Sequence, residues 1–270
     1  MVDDFGKAEM GSVTVTAAEL LSSAVEKSGR KSSVQLPAQF ARIQKHGDTS
    51  TPLSRMFTQG EVTLKLYLTL VMLTRQEPHS LYRIRPDHYW AGLLGYEELN
   101  DADPIPGNGT RRIKRAMRNL EKGGPDETGW ITRTRVPGRG FEITVVHPPG
   151  PMVAPYITAP IQLWSRGWIN VMSARALFVY VCLRLVLAGK DDDHGAHVSA
   201  WDRKRFAIGD DTWQRGMKEL VALQLARSET DRVTANRWSS DLSKRKVKVY
   251  YLNNTYLLSN DSPTEPVDLS

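Results

Sequence analysis

The chain repeats itself, and the repeat limits its fold more than its composition does. Arg115-Ala-Met-Arg-Asn-Leu120 matches Arg215-Gly-Met-Lys-Glu-Leu220, and Pro37-Ala-Gln-Phe40 matches Pro160-Ile-Gln-Leu163. Each Pro motif is followed by a strongly apolar stretch around a tyrosine, Leu64-Lys-Leu-Tyr67 in one half and Leu177-Phe-Val-Tyr180 in the other. A shorter helical pattern follows and ends at Gly95 or Gly209. After each Arg-x-Met-x-x-Leu helix the periodicity changes to strand, turn, strand. The first half has extra residues at 96–108, which shift the spacing as an inserted loop does.

Three helices and then a two-stranded hairpin is the element order of a winged helix. The predicted fold is therefore α+β, mostly helical, with two winged helix-turn-helix domains in tandem. His147-Pro-Pro-Gly-Pro151 is hostile to helix and marks the cut between them. The expected organisation is a flexible N-terminal segment (1–35), a first domain (36–147), a linker (148–152), a second domain (153–258) and a disordered tail (259–270). Residues 17–27 have the pattern of a short helix with loose flanks.

An apolar content of 40% is enough for real cores. The single cysteine, Cys182, excludes a disulfide framework or a multi-cysteine zinc site, and its apolar neighbours make it a buried small side chain. The greasiest stretches, 62–73 and 174–188, are shorter than the roughly 20 residues of a membrane span and carry Lys65, or Arg175 and Arg184. They read as buried helices. The N-terminus has no basic region followed by an apolar run, so no secretory signal is expected and the expected location is cytoplasmic, on nucleoid or plasmid.

The charge is concentrated. Between residues 108 and 140 stand nine Lys/Arg against three acids, a net +6 that equals the net charge of the whole chain. In the helical pattern 110–122, Ile113, Ala116, Met117 and Leu120 cluster on one side. Arg111, Lys114, Arg115, Arg118 and Lys122 cluster opposite, with Arg112 beside them. Asn108 or Thr110 is the expected N-cap, and Gly123-Gly124 ends the helix. A recognition helix needs this division, because one face fixes it to its domain while the other enters the major groove. A merely solvated basic face would be balanced by acids one turn away. Only Glu121 interrupts, on the flank.

The expected wing follows, with strands at 130–136 and 141–146 and a turn centred on Pro137-Gly138. Arg133, Arg135 and the tip residue Arg139 would hold DNA backbone or minor groove. In the second half, Trp213, Met217 and Leu220 form the core stripe, and Thr212, Gln214, Arg215 and Lys218 the outer face. Its hairpin carries Arg232, Arg237, Lys244, Arg245, Lys246 and Lys248, suited to phosphates or to a neighbouring groove beside a dimer contact. No catalytic constellation emerges. Asp191-Asp-Asp-His-Gly-Ala-His197 holds metal-capable side chains but reads as a solvated loop. Gly107-Asn-Gly-Thr110 lacks the lysine and spacing of a nucleotide loop.

The layout resembles the tandem winged-helix proteins of high-GC Gram-positive bacteria and their plasmids and phages. The residues that carry the resemblance are 64–73, Trp90-Ala-Gly-Leu-Leu-Gly95, Gly109-Thr-Arg-Arg-Ile113, Asn119-Leu-Glu-Lys122, Trp130-Ile131 and Pro137-Gly-Arg-Gly140. It is similar in plan to plasmid replication initiators, which pair two winged-helix domains. The resemblance implies binding of double-stranded DNA, no cofactor, and self-association as a homodimer or a higher assembly on DNA; no metal is expected from the residues. The expected function is a sequence-specific transcriptional regulator without enzymatic activity and without a membrane partner. The alternatives are a replication initiator or partition protein, and a winged-helix scaffold for protein partners.

Overall fold

The computed structural model describes residues 16–44, 47–81, 85–96, 107–124, 128–146, 155–188, 190, 192–234 and 244–259, with backbone alone at 232–234, 244 and 245. The first half runs α1 (Ala17–Ser28), β1 (Ser33–Pro37), a 3-10 turn (Ala38–Phe40), α2 (Pro52–Thr58), α3 (Glu61–Leu73), α4 (Asp87–Leu93), α5 (Asn108–Lys122), β2 (Ile131–Val136) and β3 (Gly140–Val145). The second half runs β4 (Tyr156–Pro160), α6 (Gln162–Ser165), α7 (Trp168–Val171), α8 (Ala174–Val186), β5 (Ala196–His197), α9 (Ala200–Arg205), α10 (Asp210–Ala222), β6 (Ala226–Thr234), β7 (Lys244–Leu252) and α11 (Asn254–Ser259). The chain is thus α+β, with small antiparallel sheets beside the helices. Among the described residues no helix is long and apolar enough to cross a membrane.

The hairpin of the second half carries a short third strand, and the hairpin of the first half a single bridge at the corresponding place. β5 pairs with β7, placing Ala196 opposite Tyr250. In the first half Ser80 bridges Thr144 on β3, while Leu81 N donates to Ile143 O (2.9 Å) and Val145 N to His79 O (2.9 Å).

α3 and α8 are buried on nearly every side, as an all-round apolar pattern requires. Each serves two surfaces at once, the core of its own half and the seam between halves. Across that seam β1 pairs with β4 in antiparallel register, Ser33 opposite Pro160, Gln35 opposite Thr158 and Pro37 opposite Tyr156. The inward residues Val34 and Leu36 face Ala159 and Ile157, all buried. The segment after β1 reaches α9, where Ile43 N donates to Arg205 O (2.8 Å) and Arg42 pairs with Asp202 (3.1 Å). The segment after β4 reaches α4, where Asn170 Nδ2 donates to Leu93 O (3.4 Å). The buried apolar side chains of both halves form one continuous cluster.

Within the segment expected to be flexible, residues 16–35 are built into the fold, while residues 1–15 lie outside the described residues. Thr16 closes a capping box with Glu19, whose carboxylate is held below its usual pKa by hydrogen bonds from Thr16. Leu21, Ala24 and Val25 then bury one face of α1 against α3, α4 and α6, so the helix straddles the seam. Apolar spacing was visible in the sequence, but the surface that covers it comes from both halves. Arg30 follows and its guanidinium donates to Met72 O (2.6 Å) and Val71 O (3.0 Å), capping the C-terminal end of α3. At the other end, α11 extends to Ser259, one residue into the stretch read as tail, and Asp192 anchors it by accepting from the backbone N–H of Asn254 (2.9 Å) and Thr255 (2.8 Å). The linker 148–152 and residues 260–270 lie outside the described residues.

An ion pair with a buried lysine and a half-buried glutamate sits at the seam. Lys65 is 1% exposed, and its Nζ lies 2.9 Å from Glu61 and donates to Asn170 O of the other half (3.0 Å). Burial lowers the lysine's pKa, against the opposing pull of Glu61. Burial alone would raise the Glu61 carboxyl, but Lys65, the Tyr96 hydroxyl and the Ala174 N–H outweigh it and hold it below the usual range. The charged carboxylate therefore stabilises the fold above its unfolded-state pKa, and that contribution is lost as pH falls through the lower folded-state value. Glu61→Gln strands the Lys65 charge and should cost about 3–5 kcal/mol in urea unfolding at neutral pH. The gap between the two proteins should begin to shrink as pH falls below the ordinary glutamate value of about 4.3 and close only once pH has passed the lower folded-state value, where the wild-type carboxylate is also neutral. A pH-independent gap would contradict the pairing.

Candidate nucleic-acid interface

α5 is the helix of the concentrated charge. Ile113, Ala116, Met117 and Leu120 are buried with Gly109 and Thr110, and Arg111, Arg112, Lys114, Arg115, Arg118 and Lys122 are exposed. The helix packs on α3 and α4. Asn119 Nδ2 fastens it by donating to Gln59 O (3.3 Å) and Thr63 Oγ1 (3.3 Å) beside the start of α3. The N-cap is Gly107, with no side-chain cap, so Asn108 and Thr110 are corrected to positions inside the helix. Thr110 is drawn into the core instead, 5% exposed. Gly123 follows the last helical residue, as expected.

The cationic residues fall into distinct groups. Arg111, Lys114, Arg115, Arg118 and Lys122 have no carboxylate partner among the described residues, and Arg118 Nε reaches only the Lys114 carbonyl (3.4 Å). Arg112 leans over the Tyr96 ring (4.3 Å), whose hydroxyl donates to Glu61 (3.0 Å), so it borders the buried network at the seam. Arg133 differs from its expected role. Its Nε and Nη2 donate to both oxygens of Glu121 (2.8 and 2.6 Å), and it lies over the Phe141 ring (5.1 Å). The hydrogen bonds to Glu121 raise the pKa of the Arg133 guanidinium against the effect of burial. Arg133 therefore bolts the hairpin to α5, while Arg135, two residues on, is exposed.

The β2–β3 turn forms as the Pro-Gly pair requires. Arg139 N donates to Val136 O (3.0 Å), and Gly138 adopts φ +69°, a left-handed value that a side chain would strain. Arg139 is exposed at this tip. Between the tip, α5 and the start of α4 runs a groove of about 380 Å³, lined by Arg85, Asp87, Lys114, Arg139 and Phe141 among others. Two of these escaped the sequence reading. Arg85 stacks on Tyr89 (4.8 Å), and Phe141 is 47% exposed at the groove wall. The Arg85-Pro86-Asp87 stop before α4 was the available signal for the first, and an aromatic next to a Gly-rich tip for the second.

The second half carries a thinner version. On α10, Trp213, Gly216, Met217 and Leu220 are buried, Gln214, Arg215 and Lys218 are exposed, and Thr212 is half-buried. Arg215 pairs with Asp211 (3.0 Å), both well exposed, an interaction too solvated to fix the side chain. Glu219, at the repeat position of Asn119, accepts from Ser173 N (2.6 Å) and Ser173 Oγ (2.5 Å) beside the start of α8. The β6–β7 ladder runs from Ala226 opposite Leu252 to Thr234 opposite Lys244. At about 3.4 Å per residue it reaches roughly 30 Å, against about 20 Å for β2–β3. Lys246 is exposed on it. The side chains of Arg232, Lys244 and Arg245, and all of Arg237, lie outside the described residues. An aromatic contact also missed from sequence is Trp201, 62% exposed, with Arg205 over its ring (4.7 Å).

The metal-capable loop is used locally. Asp192 holds α11, and His197 Nδ1 meets Lys248 O (3.0 Å). Among the described residues no group of three or more His, Cys, Asp and Glu gathers as metal ligands. Cys182 is buried, which raises its thiol pKa. Comparison of the chain with protein-family models, with curated proteins and with solved structures returned no match.

The Glu121–Arg133 clamp ties the hairpin to the helix. Glu121→Gln should speed hydrogen exchange of the β2 and β3 amides and lower stability by about 1.5–3 kcal/mol, the usual worth of hydrogen bonds to charged groups. Unchanged exchange in that hairpin would show that the clamp does not hold it.

Proposed function

We propose that the chain is a sequence-specific double-stranded DNA-binding protein made of two winged-helix units, acting as a transcriptional regulator. The observation that carries this reading is α5 with its hairpin: the five cations of the outer face unpaired by carboxylates among the described residues, the opposite face buried, and Arg139 at the tip across a basic groove. α5 is the recognition helix. Arg111, Arg115 and Arg118 enter the major groove, where a guanidinium meets guanine through two parallel hydrogen bonds. Arg135 and Arg139 meet phosphate or the adjoining minor groove, and Arg85 joins them along the groove. Arg133 contributes by positioning the hairpin. Binding is the whole of this activity, and no bond is made or broken.

A scaffold for protein partners would have no use for an excess charge confined to residues 108–140. A replication initiator uses the same contacts at repeated sites near an origin, and the map position of the bound site separates it from a regulator.

Selection from a random duplex pool, followed by a salt titration on the enriched site, tests the reading. A defined site with steep salt dependence is expected, because each neutralised phosphate releases counterions. Arg115→Ala and Arg118→Ala should each cost about 1–3 kcal/mol of binding and relax base preference, with the circular dichroism melt unchanged because both residues stand off the core. Arg139→Ala should weaken all sequences alike and reduce the salt slope by about one. No enrichment, or full affinity in the Arg115/Arg118 variant, would overturn the assignment.

A further inference from the structure

We infer that one copy of this chain occupies a single duplex site composed of two inverted, non-identical half-sites, with α5 on one and α10 on the other. The inference rests on the DNA-binding reading above and adds the form of the site and the stoichiometry.

The seam between the halves joins like to like. Aligning Pro37 with Pro160 makes Gln35 the equivalent of Thr158, and these two are opposite each other at the centre of the β1–β4 ladder. Aligning Tyr67 with Tyr180 makes Glu61 the equivalent of Ala174, and Glu61 Oε2 accepts from Ala174 N (3.3 Å). The same alignment equates Phe57 with Asn170 and Lys65 with Phe178. Phe57 packs edge-on against Phe178 (5.3 Å between centroids), while Asn170 O accepts from Lys65 Nζ (3.0 Å). These two contacts are images of each other, one apolar and one charged. Contacts between equivalent residues, and contacts occurring in reciprocal pairs, define a two-fold interface; a head-to-tail stack would join unlike surfaces. The chain is built as a fused dimer.

The third helices follow this axis. Asn119 of α5 and Glu219 of α10 hold the same repeat position, and each ties its helix to the start of α3 or α8, the two ends that meet at the axis. The axis therefore carries α5 onto α10. Duplex DNA has two-fold axes relating its strands, so a two-fold protein fits an inverted pair of half-sites. The half-sites differ because the outer faces differ. Lys114, Arg115 and Arg118 on α5 correspond to Gln214, Arg215 and Lys218 on α10. Arginine suits guanine and glutamine suits adenine, so one half-site is guanine-rich and the other carries adenine opposite Gln214. A symmetric homodimer would demand a palindrome; a fused dimer with diverged faces demands two unlike arms.

The experiment uses the full chain on the site enriched from the random pool. Sedimentation gives the number of chains per duplex, and footprinting is repeated with Arg115→Ala/Arg118→Ala and with Gln214→Ala/Lys218→Ala. Expected are one chain per duplex, two inverted arms of different sequence, and loss of protection confined to one arm by each variant, with affinity falling about ten- to a hundredfold. Arms in direct repeat, two chains on the inverted site, or a footprint indifferent to Gln214 and Lys218 would overturn the inference and leave the DNA-binding reading standing. Absence of binding to any duplex by the folded protein would overturn both.

Discussion

The seam around Glu61, Lys65 and Ala174 is the contact on which the remaining architecture depends. α3 and α8 are too apolar to stand at a surface, and each half alone would leave one side of its central helix bare. Joining the halves covers both helices and closes the β1–β4 ladder. The cost is a lysine buried at 1% exposure, which is tolerable only because Glu61 pairs with its charge and the Asn170 carbonyl accepts a hydrogen bond from it. That pair is specific in a way apolar packing is not. Sliding one half along the other would separate the ammonium from its carbonyl while leaving greasy contacts available.

From the seam outward the structure stiffens the elements that carry the exposed cations. Asn119 fixes α5 to the start of α3, and Glu121 fixes the hairpin to α5 through Arg133. Two polar residues on one basic helix thus tie it to α3 and tie the hairpin to it. The proposed DNA contact would gain from such attachment, because side chains could meet base edges without ordering the backbone at the same moment. The groove between Arg139, Lys114 and Arg85 exists because those attachments hold its walls apart.

The second half keeps the frame and changes the face. Glu219 repeats the attachment made by Asn119, and Met217 and Leu220 repeat the buried stripe. Outside, a lysine becomes Gln214 and the first turn becomes acidic at Asp210 and Asp211. Its hairpin is longer than the first. Core positions are bound by packing in both copies, whereas outer positions are free to diverge.

Periodicity and repeats were enough to read the two like halves, the buried and cationic sides of α5, the Pro-Gly turn and the buried character of α3 and α8, because each is a local pattern that one element expresses by itself. Arg133 and Arg135 look alike in sequence, two positions apart on one strand face. Only the placement of Glu121 one helix away turns the first inward and leaves the second exposed. α1 was legible as a helical pattern but not as a packed one, since its cover comes from α3, α4 and α6 together. Arg85 and Phe141 gained meaning only when the groove brought them together. The cut at the Pro-rich segment, drawn from backbone stiffness, gave no hint that strands on either side of it pair. Sequence determined which residues must be buried and which are charged; which buried face meets which, and which charge is left facing solvent, was decided by tertiary contacts between elements far apart in the chain.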